Sequence, residues 1–332
     1  MKIFLNILFL IIGFASLIIG ANYFVNGASA VAKKLKVPSI IIGLTIVAIG
    51  TSLPELAVSV TSAISGSADL SVGNVVGSNL SNMLLILGVV AIMSNIPIQK
   101  STKKFDLPFM IGVTALLLFF GADSVLGFNP TNVIKWWEAL ILFLLFVAYM
   151  VIQIMFAKKQ HNFAEQTVVE TQKEEKPEKQ LKVWQIVLFL IGGLAAVVFG
   201  GECVSRTSKF LAMAAGMSEA LVGVTIVALG TSLPELVTSV IAAKKGETDL
   251  AVGNVVGSNI MNIVLILGTS GIITSINISM TMLVDTLILF VASVIFMLVC
   301  LSGNKINRLE GIMLVVMYFS YMTMAIVRNY AV

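Results

Sequence analysis

A 46-residue stretch that occurs twice constrains this chain more than any other feature. Residues 43–88 read GLTIVAIGTSLPELAVSVTSAISGSADLSVGNVVGSNLSNMLLILG. Residues 223–268 read GVTIVALGTSLPELVTSVIAAKKGETDLAVGNVVGSNIMNIVLILG. Aligned without a gap, 31 of the 46 positions are identical, at a constant offset of 180 residues. Each copy carries one acid in its apolar stretch, Glu55 or Glu235, with Thr, Ser, Asn and Gly around it. Polar residues of this kind are costly inside a bilayer, and their default meaning there is an ion or substrate pathway.

The bilayer itself follows from hydropathy. Only 11% of the 332 residues are charged and 58% are hydrophobic, whereas an average soluble domain carries roughly a quarter charged residues. Apolar runs long enough to cross a hydrocarbon core of about 30 Å recur along the chain. The class is an all-α polytopic membrane protein. The run after Lys2 continues past Ile19 without a small-residue cleavage site, so it reads as a first membrane helix rather than a leader.

Ten transmembrane helices are expected, at about 3–30, 37–64, 70–92, 107–121, 136–157, 183–210, 219–243, 250–274, 280–301 and 310–327. Residues 1–157 thus form a first five-helix repeat and residues 183–332 a second. Between them, residues 158–182 are a charged linker rich in Lys, Glu and Gln, whose composition predicts a flexible loop. Five helices per half is an odd number, so the second half enters the membrane from the opposite side and the repeats are inverted. Charge agrees: one alternation of loops collects 16 of the 21 basic residues, among them Lys33, Lys34, Lys36, Lys100, Lys103, Lys104 and the linker lysines. Basic residues favour the cytoplasmic side, so the linker is expected to be cytoplasmic and both termini outside the cell membrane. Inverted repeats commonly place a transport site at the bilayer midplane.

Within GTSLPE, Thr51 and Ser52 precede Glu55 by four and three residues and share its helical face. Pro54 lacks an N–H and crowds the carbonyl of Gly50, which should free carbonyls around Ala48 to Thr51. Ala228, Gly230, Thr231, Ser232, Pro234 and Glu235 repeat the arrangement. In the second motif, Asn74, Ser78 and Asn82 are spaced by four, as are Asn254, Ser258 and Asn262. Simple interhelical hydrogen bonding competes with ligation for this stripe, most strongly at Asn74 and Asn254. Ser78, Asn82, Ser258 and Asn262 are the better ligand candidates. Gly73, Gly77, Gly253 and Gly257 have the small-xxx-small spacing of close helix packing.

Two carboxylates with hydroxyl, amide and carbonyl oxygens make an all-oxygen cage. Ca²⁺ takes about 6–8 such oxygens in flexible geometry, whereas Mg²⁺ demands a tighter octahedron. The two carboxylates are balanced equally by one Ca²⁺, by monovalent ions or by protons. An empty site would be costly to carry across the membrane, and that cost is the physical basis of exchange. His161 is the only histidine, and Cys203 and Cys300 are isolated. These counts weigh against zinc, copper or iron, against Ser-His or Cys-His catalysis, and hence against an enzyme or a bound cofactor. A passive cation channel lined by the same oxygens is the competitor from another class.

At these residues the chain resembles the cation/calcium exchanger superfamily, specifically its prokaryotic sodium/calcium exchangers, with GTSLPE and GNVVGSN in each repeat. The resemblance implies exchange of several Na⁺ for one Ca²⁺ by alternating access, in which helices equivalent to the first and sixth slide across the other eight. It implies that Glu55 and Glu235 bind Ca²⁺ with the Thr51 and Thr231 carbonyls. Ser52, Ser78, Ser232 and Ser258, with the Ala48 and Ala228 carbonyls, would complete Na⁺ sites, and Asn82 and Asn262 would fill the remaining polar positions. Members often carry Asp at one of these last two places, whereas here both are Asn. That difference leaves stoichiometry and potassium co-transport open, and leaves H⁺ as an alternative counter-ion. The implied partners are Ca²⁺, Na⁺ and the lipid bilayer, with no nucleic acid, and a monomer contains the whole pathway.

Other polar residues carry less. Glu202 and Arg206 suit an interfacial ion pair. Asp106 and Asp285, near corresponding helix ends, suit caps or contact with interfacial water. Asp123, Glu138, Glu219 and Glu310 lie near membrane boundaries, and Trp136, Trp137 and Trp184 fit interface anchors.

Overall fold

The structure is a computed structural model that describes residues 2–66, 68–127, 130–170, 181–217, 228–303 and 305–330. Helix α1 spans Lys2–Leu35, and a helix bent by 46° follows as α2 (Ser39–Thr51) and α3 (Leu53–Ile64). Then come α4 (Leu70–Met93), α5 (Leu107–Phe120) and α6 (Trp136–Glu170). After the linker lie α7 (Val183–Ala214), the helical residues Ala228–Gly230, α8 (Leu233–Lys244), α9 (Thr248–Ile273), α10 (Met280–Ser302) and α11 (Arg308–Tyr330). Among the described residues, seven helices are long and apolar enough to cross a membrane, or eight if the bent pair counts as one. The fourth expected span is the short α5, entered through a π turn at Thr102–Asp106. The first nine residues of the seventh, Glu219 included, lie outside the described residues.

One boundary differs from expectation. Residues 158–182 do not begin a loop, because α6 continues without a break to Glu170. Lys, Gln, Ala and Glu are good helix formers, and extending an existing helix fixes one residue per new hydrogen bond without a new nucleus. The second expected helix, 37–64, is not continuous either. It breaks at Ser52, whose ψ of 4° is not helical, just ahead of Pro54, which cannot donate to the ladder.

Helices α4 and α9, from the two copies of the repeat, occupy the centre, 78% and 94% buried over their apolar windows. Helices α1, α6 and α7 are 17–22% buried and turn Ile3, Phe4, Leu144, Ile154, Leu188 and Ile191 outward. That is where lipid contact would lie. Close approach at the centre depends on glycine. A Cβ on Gly253 would meet the Ile40 carbonyl oxygen at 2.5 Å, and one on Gly257 would meet the Leu44 Cα at 2.9 Å, so α9 lies backbone to backbone on α2. With no hydrophobic drive between helices in lipid, such dispersion contact is what holds them together.

Helices α1 and α7 form a second glycine-dependent pair. A Cβ on Gly20 would meet the Gly193 carbonyl oxygen at 2.9 Å, and one on Gly200 would meet that of Gly13 at 2.7 Å. Adding 180 to Gly13 and Gly20 gives Gly193 and Gly200, so the two contacts are one contact made twice. The loops show the same exchange. Strand β1 (Ile96–Pro97), after α4, pairs antiparallel with β4 (Lys305–Ile306), before α11; β2 (Val133–Ile134), before α6, pairs with β3 (Ile276–Asn277), after α9. Each half lends a ribbon strand to the other.

Candidate ion-binding site

The helix break brings Ser52, the cap residue of α3, to the first turn of α8. Glu55 and Glu235 each lie in the first turn that follows the break, three residues after the cap residues Ser52 and Ser232. Both acids are 1% exposed. Their carboxylates are within Coulombic reach of each other, and the two copies touch directly where the Ser52 hydroxyl donates to Glu235 Oε1 at 3.4 Å.

On and near the acids are buried polar atoms that the described residues do not satisfy. Among those residues, Glu55 Oε2, Glu235 Oε2, the hydroxyls of Ser78, Ser232 and Ser258, both amide atoms of Asn82 and Asn262 Oδ1 have no hydrogen-bond partner. A buried group left in that condition costs roughly 1–3 kcal/mol, and more when charged. Such a concentration of orphaned oxygens, next to two carboxylates, fits a cation as the missing partner. Thr51 and Ser52 are also buried, and Thr231 is half-buried.

The carbonyls were expected to be bare, but the Ala48 carbonyl accepts the Ser52 N–H at 3.1 Å. A carbonyl has two lone pairs, so one remains for a ligand. Ala228 lies in the helical residues Ala228–Gly230, and its backbone alone is described.

Asn74 and Asn254 are clamps. The Thr51 hydroxyl donates to Asn254 Oδ1 at 3.0 Å, and Asn254 Nδ2 donates to the Ser239 hydroxyl at 3.0 Å. In the other copy, the Thr231 hydroxyl donates to Asn74 Oδ1 at 3.5 Å and Asn74 Nδ2 to the Ser59 hydroxyl at 3.4 Å. Each relay joins a motif of one half to a helix of the other. Ser59 and Ser239 escaped the sequence reading although they stand four residues after the acids, on the same helical face. Asn79 and Asn259, off the four-residue stripe, were also missed. Each donates its amide to the other's carbonyl, at 3.1 and 3.3 Å.

Some outlying expectations are corrected. Asp285 is no cap, since Arg328 holds it bidentately at 3.0 and 2.7 Å. Asp106 does not reach interfacial water; it is 3% exposed and accepts from Tyr149 and Gln153. Glu202 and Arg206 do pair with each other. Asp123 pairs with Lys135 at 3.1 Å, and Glu138 accepts the Lys135 N–H.

Helices crossing an apolar layer around paired acids and unsatisfied oxygens define a membrane protein that handles cations. Comparison with known proteins gives the family. The profile described as "sodium/calcium exchanger protein" matches residues 5–155 and 185–327. The chain belongs to the sodium/calcium exchanger family. It is 37% identical over 318 residues to a putative antiporter, CaxA, of Alkalimonas amylolytica, covering 95% of this chain and 96% of that one. It is 34% identical over 345 residues to the sodium/calcium exchanger MaX1 of Methanosarcina acetivorans, covering 96% and 97%. Its fold superposes on a solved structure of the sodium-calcium exchanger NCX_Mj with a TM-score of 0.80 and 28% identity, over 96% of this chain and 98% of that chain.

Proposed function

We propose that the chain is a secondary antiporter that exchanges Na⁺ for Ca²⁺ across the cell membrane. The observation that carries this reading is that Glu55 and Glu235, one from each copy, are both buried and within Coulombic reach, and that their outer oxygens have no partner among the described residues. The relatives' names and the match to NCX_Mj point the same way. In this reading one Ca²⁺ neutralises both carboxylates and takes the Thr51 and Thr231 carbonyls. Monovalent ions take its place on Ser52, Ser78, Ser232, Ser258 and the Ala48 and Ala228 carbonyls, with Asn82 and Asn262 completing the shell. The loaded states are neutral enough to cross, whereas the empty site leaves two bare carboxylates in a low dielectric.

The chain comprises ten transmembrane helices in two inverted repeats, 1–157 and 183–332, with the linker cytoplasmic and both termini outside. The reciprocal ribbons and the doubled α1–α7 contact support that symmetry. Alternating access comes from the peripheral α1–α7 pair moving as a unit across the buried centre. One copy of the chain suffices for transport.

The test is ⁴⁵Ca²⁺ uptake into proteoliposomes loaded with Na⁺. Uptake driven by the Na⁺ gradient and retained with a protonophore supports Na⁺ exchange, whereas its loss assigns the counter-ion to H⁺. Uptake with no counter-ion on the far side would instead make the protein a passive channel.

A further inference from the structure

Asp106 and Asp285 sit near corresponding helix ends in the two halves and are satisfied differently. Arg328 stands 43 residues after Asp285 and neutralises it with two hydrogen bonds. Tyr149 stands 43 residues after Asp106 and offers only a neutral hydroxyl, at 3.1 Å, while Gln153 Nε2 donates to the same oxygen, Oδ1, at 2.7 Å. Asp106 Oδ2 receives no donor among those bonds, and among the described residues no cationic side chain acts on the carboxylate. The fully buried Thr102 hydroxyl lies beside the carboxylate and acts on it, short of full hydrogen-bond geometry with any described residue.

This carboxylate opens on a cavity of about 400 Å³ at the linker end of the fold, walled on one side by Ile41, Leu44 and Phe156. Gln99, Ser101 and Gln153 also line it. Gln99 Nε2 donates to Asp249 Oδ2 at 2.5 Å, and Gln153 Nε2 is taken by Asp106. A carboxylate accepts and cannot donate, which fixes the amide orientations. The glutamines therefore leave their carbonyl oxygens for whatever enters the cavity. A buried anion without a counter-charge is strongly disfavoured, and Lys159 and Gln160 at the exposed rim are the remaining polar side chains of the lining.

We propose that this cavity is a second cation site, holding one monovalent inorganic cation, Na⁺ or K⁺, on Asp106, Thr102 and the Gln99 and Gln153 carbonyl oxygens. A single carboxylate selects a monovalent ion, because Ca²⁺ sites gather several charged ligands. The site is separate from the paired glutamates and does not depend on what they transport.

The test uses the full chain in detergent with Glu55→Gln and Glu235→Gln in place, so that the central acids cannot dominate the signal. Thermal melting is followed against NaCl and KCl, with N-methylglucamine chloride holding ionic strength constant. A saturable rise in Tm is expected. Asp106→Asn should abolish it, and Thr102→Val should raise the half-saturating concentration roughly tenfold. A Tm indifferent to both cations, or an equal rise in the Asp106→Asn variant, overturns the proposal. If Asp106→Asn folds poorly, Tl⁺ soaked into crystals of the unaltered chain decides. An anomalous peak against the Asp106 carboxylate supports the site, and its absence at saturating Tl⁺ overturns it. Neither result depends on Na⁺/Ca²⁺ exchange, so the two readings fail separately.

Discussion

Asn79 and Asn259, 180 residues apart, each donate the side-chain amide to the other's backbone carbonyl, at 3.1 and 3.3 Å. The pair is its own image under the 180-residue offset, so α4 and α9 offer each other the same contact there. The equivalence stops one turn further on. Asn262 Nδ2 donates to Asn79 Oδ1 at 3.0 Å, while Asn82, its counterpart, has no partner on either amide atom among the described residues.

Breaking this pair should loosen the centre modestly. Interhelical hydrogen bonds in membranes average roughly 0.6 kcal/mol and reach about 1.7. Asn79→Ala and Asn259→Ala are each expected to cost about 1 kcal/mol. In a double-mutant cycle read by denaturation in mixed micelles, the double variant should cost less than the sum, because each change removes part of the same pair. Full additivity would mean that the reciprocal bonds are not made.

Asn254→Ala should act on the ions as well as on the fold. The change leaves the buried Thr51 and Ser239 hydroxyls without their Asn254 partner and lets the Thr51 turn drift. The expected result is a rise in the KM for Ca²⁺ of roughly tenfold, corresponding to about 1.4 kcal/mol, together with a lowered Tm, since each stranded hydroxyl costs roughly 1–3 kcal/mol. Ser239→Ala, one step further from the ion, should show a smaller shift in the same direction.

The α1–α7 contact leaves no room for a side chain. A Cβ on Gly200 would sit 2.6 Å from the Leu17 backbone nitrogen, so Gly200→Val must push the helices apart, at a cost of about 1–3 kcal/mol for overpacking. Transport in proteoliposomes should fall by at least tenfold. Gly192→Val is the control, since its nearest such contact is a Leu188 methyl at 3.9 Å, and it should transport normally.

Much of this architecture was legible in the sequence, and what was hidden has physical reasons. Glu55, Glu235, Ser78 and Ser258 stood out because a polar residue in an apolar run is costly and duplication rules out accident. The ribbons β1–β4 and β2–β3 were invisible, since two-residue strands joined across more than 140 residues leave no periodic trace. The extension of α6 to Glu170 was hidden because charged composition argues equally for a loop and for a solvated helix. Pro54 signalled a kink near the site, but only coordinates show that the ladder ends at Ser52. The π turns Gly43–Val47, Ser81–Ile86 and Asn262–Leu267 beside the site carry no sequence mark at all, though such turns often accompany functional positions.

Charge removal at the acids separates function from fold. Glu55→Gln and Glu235→Gln keep the volume and the hydrogen-bonding capacity, and they relieve two buried carboxylates of mutual repulsion. Each variant should melt at or above the unaltered protein and transport no Ca²⁺. Normal ⁴⁵Ca²⁺ flux through either would remove that acid from the site.

The most direct measurement is the anomalous scattering of Sr²⁺, as a stand-in for Ca²⁺, in crystals of the full chain. One peak is predicted, in contact with the carboxylates of both Glu55 and Glu235, and absent when either is Gln. A peak touching only one acid, or two peaks with one on each, would contradict the claim that the halves share a single divalent ion.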